Sequence, residues 1–315
     1  MVDRRVWRAL GMSLVVIMLA WPVHAASQRD HDDCLTEDED IDLDRRIAAC
    51  TAILQDPDES RDHAVAYYNR GFSYQIREDM DRAIADYGES IRIDPEDTAS
   101  YTNRGFAYWA KGDLDRAIAN YSEVIRLDPE DALAYRDRGI TYSDKGDTDR
   151  AFADYDEAIR LDPEYAFAYR TRGIAHLYGG SLAEAEADFQ EAADLNPRNA
   201  YTALWFDIAE RRNGGPGHLA EAARRLDMTA WPAPIVRLFL GEMTMATTFA
   251  AADEDAENRR DQICEANFYG AEFLQLQGQK AEALPLYRLA VSDCRRNFLE
   301  SYAASWALRA LGTEP

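Results

Sequence analysis

The chain has 315 residues, with 58 Asp and Glu against 35 Lys and Arg, for a formal charge of −23 at pH 7. That balance argues against nucleic acid and anionic lipid as partners, because affinity for phosphates rests largely on Lys and Arg. It suits cationic partners, or simply a solvated acidic exterior.

Residues 1–26 read as an export signal. Arg4, Arg5 and Arg8 precede an apolar run from Ala9 to Trp21, too short for a comfortable membrane span, and Val23-His24-Ala25 offers small residues for cleavage after Ala25 or Ala26. An uncleaved anchor and twin-arginine export are the alternatives. No Cys follows that run until Cys34, so no lipid anchor is expected and the mature chain is placed in the periplasm or outside the cell. Residues 27–63 begin with an acidic run from Asp30 to Asp44 that lacks the spacing and glycine of an EF-hand. It reads as a solvated, partly disordered lead-in. From Leu43, LDRRIAACTAILQDPD is expected to form one helix closed by Asp56-Pro57, an incomplete repeat that caps the stack.

Residues 64–199 repeat themselves. Gly71, Gly105, Gly139 and Gly173 are 34 residues apart, and so are Ala83, Ala117, Ala151 and Ala185; Tyr87, Tyr121, Tyr155 and Phe189; and Pro95, Pro129, Pro163 and Pro197. Tyr74, Tyr108, Tyr142 and His176 follow the glycines by three. The small residues let two helices of a hairpin approach closely, and Tyr101, Tyr108 and Tyr121 fall on helical spacing for burial against a neighbouring copy. Lys111-Gly112-Asp113 ends the first helix of a copy with a left-handed cap, and Asp128-Pro129-Glu130-Asp131 ends the second. A period of 34 with G-x2-Y, A-x3-F/Y and a closing Pro resembles the tetratricopeptide repeat (TPR) family. The resemblance implies an all-α fold: a right-handed TPR solenoid of four repeats with a helical C-terminal extension.

Residues 200–315 keep helical character while the period fades. Ala200–Arg211 and His218–Leu226 read as a degenerate pair, and Trp231–Phe249 as a region broken by Pro232 and Pro234. Asn267–Leu276 and Glu282–Asp293 restore a repeat, with Gly270, Ala281, Leu286 and Ala290 as its small-and-bulky pattern, and Asn297–Leu311 closes the chain. The segments ALWFDIAE, WPAPIVRLFLG, NFYGAEFLQLQGQKAEALPLYRLAV and NFLESYA resemble the C-terminal part of the NlpI family of envelope lipoproteins. That resemblance implies a scaffold bringing envelope proteases and peptidoglycan hydrolases together, and a homodimer.

An even number of cysteines in an exported chain favours disulfides. Residues equidistant from the turn of a helix hairpin face each other. Cys264 and Cys294 flank Gln279 equally, as Cys34 and Cys50 flank Asp42, so the expected bonds are Cys34–Cys50 and Cys264–Cys294.

No catalytic, metal or cofactor motif stands out, and neither an enzyme nor a cofactor is expected. His176 reads as a packed core residue, and Arg70, Arg104, Arg138 and Arg172 as structural partners of acids such as Asp86, Asp154 and Asp188. What a stack of this kind can do is bind. In TPR folds the first helix of each pair lines the concave face, and that family trait assigns the groove residues. They are Tyr68, Thr102, Arg136 and Arg170; Asn69 and Asn103; Phe72, Phe106, Ile140 and Ile174; and Gln75 and Trp109. Phe72, Phe106 and Trp109 are expected as exposed binding hot spots, with the alternative that Trp109 packs on the next copy. The expected function is a non-catalytic adaptor of the bacterial envelope that holds a peptide or protein partner; a periplasmic enzyme subunit and a structural assembly factor are the competing classes.

Overall fold

The computed structural model describes residues 26–36, 41–56, 61–252, 255–295 and 298–314; the predicted export signal lies outside them but for Ala26, as do Pro57 and Asn297. These residues form seventeen helices and no strand. At the N-terminus α1 (Gln28–Leu35) packs on α2 (Leu43–Gln55). The acidic lead-in is therefore a helix over residues 28–35, not a solvated run. Its Ser27 cap exchanges hydrogen bonds with Asp30, its Asp33 is buried against Arg45, and Cys34 is bonded to Cys50 with a Cα–Cα distance of 4.9 Å.

Four hairpins come next: α3 (His63–Ile76) with α4 (Met80–Ile93), α5 (Thr98–Ala110) with α6 (Leu114–Leu127), α7 (Ala132–Lys145) with α8 (Thr148–Leu161), and α9 (Ala166–Gly179) with α10 (Leu182–Leu195). Each second helix starts at a capping residue, and Asp79, Asp113 and Asp147 accept from the backbone N–H three residues on. Each first helix ends at a left-handed residue: Gly112, Gly146 and Gly180 have φ of +79°, +81° and +88°. In the first hairpin Glu78 takes that place at φ +60°, at a backbone cost a glycine would avoid.

The period has a steric cause. A Cβ on Gly71, Gly105, Gly139 or Gly173 would stand 3.1, 3.0, 2.8 or 3.0 Å from the ring of Tyr87, Tyr121, Tyr155 or Phe189, all of which are buried. The glycine makes room for the aromatic sixteen residues on. Beside it, Arg70, Arg138 and Arg172 each form a two-pronged pair with Asp86, Asp154 and Asp188, with both bonds at 2.6–3.0 Å. Arg104 meets the neutral Asn120 instead, and burial without a countercharge pulls its pKa down.

Beyond the repeats, α11 (Ala200–Arg212) is buried all round, with every residue from Thr202 to Glu210 inside. Its Trp205 lies 5.9 Å from Phe189 and 5.2 Å from Phe268. The short α12 (Leu219–Ala222), α13 (Ala233–Phe239) and α14 (Met245–Ala250) lead to a second hairpin stack of α15 (Ala256–Leu276), α16 (Lys280–Asp293) and α17 (Leu299–Ala310). Its register differs by one or two places from the sequence reading. Ala281 is exposed and Leu286 only partly buried, while Ala271, Ala283, Tyr287 and Ala290 are buried. Ala271 holds the place of the repeat glycine. The Tyr287 hydroxyl meets Gln275 at 3.0 Å, as Tyr87 meets Gln75 at 2.9 Å and Tyr155 meets Ser143 at 3.1 Å. Cys264 is bonded to Cys294, with a Cα–Cα distance of 5.1 Å.

Gly139→Ala should lower stability by about 1–3 kcal/mol, because both the Tyr155 ring and the Ala151 carbonyl crowd the new methyl. Gly88→Ala, whose nearest neighbour is the end of the Arg104 side chain at 3.7 Å, should be neutral or gain up to about 1 kcal/mol of helix propensity. Thermal melts of the two variants check this, and equal losses would contradict it.

Candidate protein-binding groove

Counted from Ala271 as the first copy is counted from Gly71, Phe268, Glu272 and Gln275 stand where Tyr68, Phe72 and Gln75 stand. One period further on are Tyr302, Trp306 and Arg309. These are concave-face positions of the second stack, and Tyr302, Trp306 and Glu272 among them meet the first stack. Tyr302 sets its ring edge-on to Trp109, with centroids 6.1 Å apart. The indole N–H groups of Trp109 and Trp306 donate to the two oxygens of Asp144, at 2.7 and 3.0 Å. Glu272, fully buried, accepts from the Tyr178 hydroxyl at 2.7 Å, the Tyr287 hydroxyl at 2.5 Å and Arg212 at 2.5 Å. At the far end Glu78 pairs with Arg295 at 3.1 Å and Arg260 at 3.7 Å. The left-handed residue that no glycine replaces thus holds the second stack against the first repeat.

This arrangement sorts the predicted groove residues into two groups. Trp109, Ile140 and Ile174 are buried at 9%, 8% and 0% exposure, so the expectation of an exposed Trp109 is corrected: it is covered by α17 and tied to the next copy through Asp144. Arg136 is paired with Asp137 and bonded to the Tyr165 hydroxyl, and the Arg170 guanidinium lies over Phe167 at 4.4 Å. Between these residues and α17 a cavity of about 190 Å³ remains, bounded by Phe106, Arg136, Phe167 and Tyr302 among others. The second group stays half-exposed: Tyr68, Asn69, Phe72, Gln75, Thr102, Asn103 and Phe106. Asn69 donates to the Cys34 carbonyl at 2.9 Å, and Asn103 bridges the Tyr68 hydroxyl and Gln75. Beside them a cleft of about 660 Å³ opens between the first two repeats and the second stack, floored by Ile76, Met80, Phe106 and Val291 and edged by Glu78 and Arg295.

Residues 64–97, 102–166 and 166–199 match tetratricopeptide repeat models. The chain carries tetratricopeptide repeats. Among solved structures it is similar to MamA, at 24% identity over 49% of this chain and 88% of that one, with a TM-score of 0.45. It is also similar to YrrB, described as a TPR protein with an unusual peptide-binding site, at 17% identity over 62% and 100% of the two chains (TM-score 0.45). A tetratricopeptide repeat protein from Parabacteroides merdae matches at 16% identity over 78% and 99% (TM-score 0.49). Among the described residues no cluster of His, Cys, Asp and Glu could hold a metal ion, and no helix is long and apolar enough to cross a membrane.

The sequence reading missed a buried acidic cluster where α9, α11, α15 and α17 meet. Glu265 accepts from the Tyr201 hydroxyl at 2.8 Å and the Trp231 indole at 2.6 Å, and Glu300 accepts from Tyr269 at 3.0 Å. Burial and the neighbouring Glu300 raise the Glu265 pKa from 4.5 to about 8, with Asp261 adding to the rise and the two hydrogen bonds opposing it. Burial raises Glu300 as well, against the pull of Arg170 and the Tyr269 hydrogen bond. A signal existed in principle: these are carboxylates on otherwise apolar helix faces. In a chain with 58 acids it does not stand out.

Between the unfolded value of 4.5 and the folded value of about 8 the native state holds more protons than the unfolded one, so this cluster makes stability fall as pH rises. Glu265→Gln should flatten the fall measured by melts from pH 5 to 9; an unchanged slope would contradict the assignment. Trp109→Ala should cost about 3–5 kcal/mol, since it empties a buried site between the two stacks. A melting temperature within a degree of wild type would place Trp109 outside the core.

Proposed function

We propose that the chain is a non-catalytic scaffold that holds a peptide or protein segment at the open end of its concave face, against Tyr68, Phe72, Asn103 and Phe106. One observation carries this reading: the same concave row is covered by the chain's own C-terminal helices from Trp109 onward but left half-exposed before it, beside a cleft of about 660 Å³. Partly exposed aromatics flanked by amide side chains are the usual makings of a binding hot spot. An acidic exterior at −23 favours a partner segment of neutral or basic character. The setting in this reading is the periplasm of a bacterial envelope. It is supported by the signal-like residues 1–26 and by two disulfides in four cysteines. In this reading the resemblance of the segments from ALWFDIAE to NFLESYA, residues 203–303, to the NlpI family favours a role gathering envelope proteases and peptidoglycan hydrolases, and a homodimer as the working form.

Affinity capture from envelope extracts with the wild-type chain and with Tyr68→Ala/Phe72→Ala tests the reading. The variant should lose its partners by about thirtyfold in affinity, corresponding to about 2 kcal/mol, while its melting temperature changes little. Capture of the same proteins at the same yield by a folded variant would move the binding surface elsewhere.

A further inference from the structure

The part of the concave face that α17 covers has the features of a helix receptor. Asp144 takes one indole N–H from inside the face and one from α17, and Trp109 offers its ring to Tyr302. Tyr302 and Trp306 are one helical turn apart, so a single helix face presents both aromatics. The fit is incomplete. The Tyr302 hydroxyl and Arg170 Nε are buried and make no hydrogen bond, so this contact leaves polar capacity unused. The Cys264–Cys294 bond lies ahead of α17 in the chain, and it ties the α15–α16 hairpin together whether or not α17 is seated.

We propose that the concave surface of α5, α7 and α9 is a receptor for an amphipathic helix with paired aromatics one turn apart. Its resident occupant is α17, and a partner protein presenting a helix of this chemistry binds by displacing it. The recognition elements are an indole or similar donor for Asp144 and an aromatic edge for Trp109; this is helix-in-groove binding with the groove already filled. A tethered occupant competes at an effective concentration commonly on the order of millimolar, so a free helix binds the intact chain weakly.

The test uses the full chain and a fluorescent peptide of residues 298–314, read by anisotropy. The peptide should bind Tyr302→Ala/Trp306→Ala at least tenfold tighter than wild type, because the variant's own α17 no longer holds the face. Adding Asp144→Ala to that variant should weaken the peptide about tenfold again. Equal affinity in all three chains, or no binding to a double variant that keeps wild-type helical circular dichroism, overturns the proposal. Should the double variant not fold, hydrogen exchange of the unmodified chain decides. Amides of residues 299–310 should exchange through a local opening well before those of α11, whereas protection equal to α11 at every denaturant concentration means that α17 leaves only on global unfolding and overturns the proposal. Because the peptide is the chain's own, both arms are independent of what occupies the open end.

Discussion

A helix hairpin of this kind cannot bury both of its faces, and the rest of the structure depends on how the second face is covered. Within each hairpin Tyr87, Tyr121, Tyr155 and Phe189 pack on the backbone of the preceding helix, where a glycine leaves room, and stacking along the repeat axis covers the hairpin from the side. It does nothing for the concave row. In this chain the concave row of α5, α7 and α9 is covered by α17, while α15 meets α9 and α11 through Glu272. The contact is as much polar as apolar: Asp144 holds two indoles, Glu272 holds two tyrosines and an arginine, and Glu78 holds two arginines. Of these only Glu272 is buried, and it fixes the placement of the two stacks most firmly, since an arrangement that broke its bonds would leave a buried charge uncompensated; Asp144 is partly buried and Glu78 exposed, and they add direction more than energy.

That placement divides the concave face by function. Where α17 lies, the face behaves as protein core, and substitution there should read first as lost stability. Where α17 does not reach, the side chains from Tyr68 to Phe106 bond to one another and to the capping unit through Asn69 and the Cys34 carbonyl. They are ordered before any partner arrives, which lowers the entropy cost of binding. The Cys34–Cys50 bond beneath Asn69 thereby reaches the open end directly, as Cys264–Cys294 reaches the clasp.

Much of the fold was legible in the sequence because its causes are local and periodic. The spacing of Gly139 and Tyr155, the turn at Gly146 and the stop at Pro163 each come from one helix meeting the next. The cysteine pairs were legible for the same reason, as residues equidistant from a turn. The fate of Trp109 was not. Its place in the repeat marks it as concave, but what covers it is Tyr302, and its partner Asp144 also serves Trp306 from 162 residues away. No period records that. The second stack was legible as a repeat, but its register was not: Gly270, which beside Ala271 imitates the repeat glycine one place early, serves instead to admit Met245. The helix at residues 28–35 was missed because its acids read as solvated, whereas Asp33 lies buried against Arg45.

The central claim, that the two concave faces are clasped, is tested most directly by a double-mutant cycle between Asp144 and Trp306, measured by denaturant unfolding of wild type, Asp144→Ala, Trp306→Phe and the double variant. The cycle cancels what each substitution does alone. A coupling of about 1–3 kcal/mol, as for a hydrogen bond to a charged group, is the predicted result. Additive losses, with no coupling beyond about 0.5 kcal/mol, would mean that α17 does not rest on the repeat face and would contradict the account.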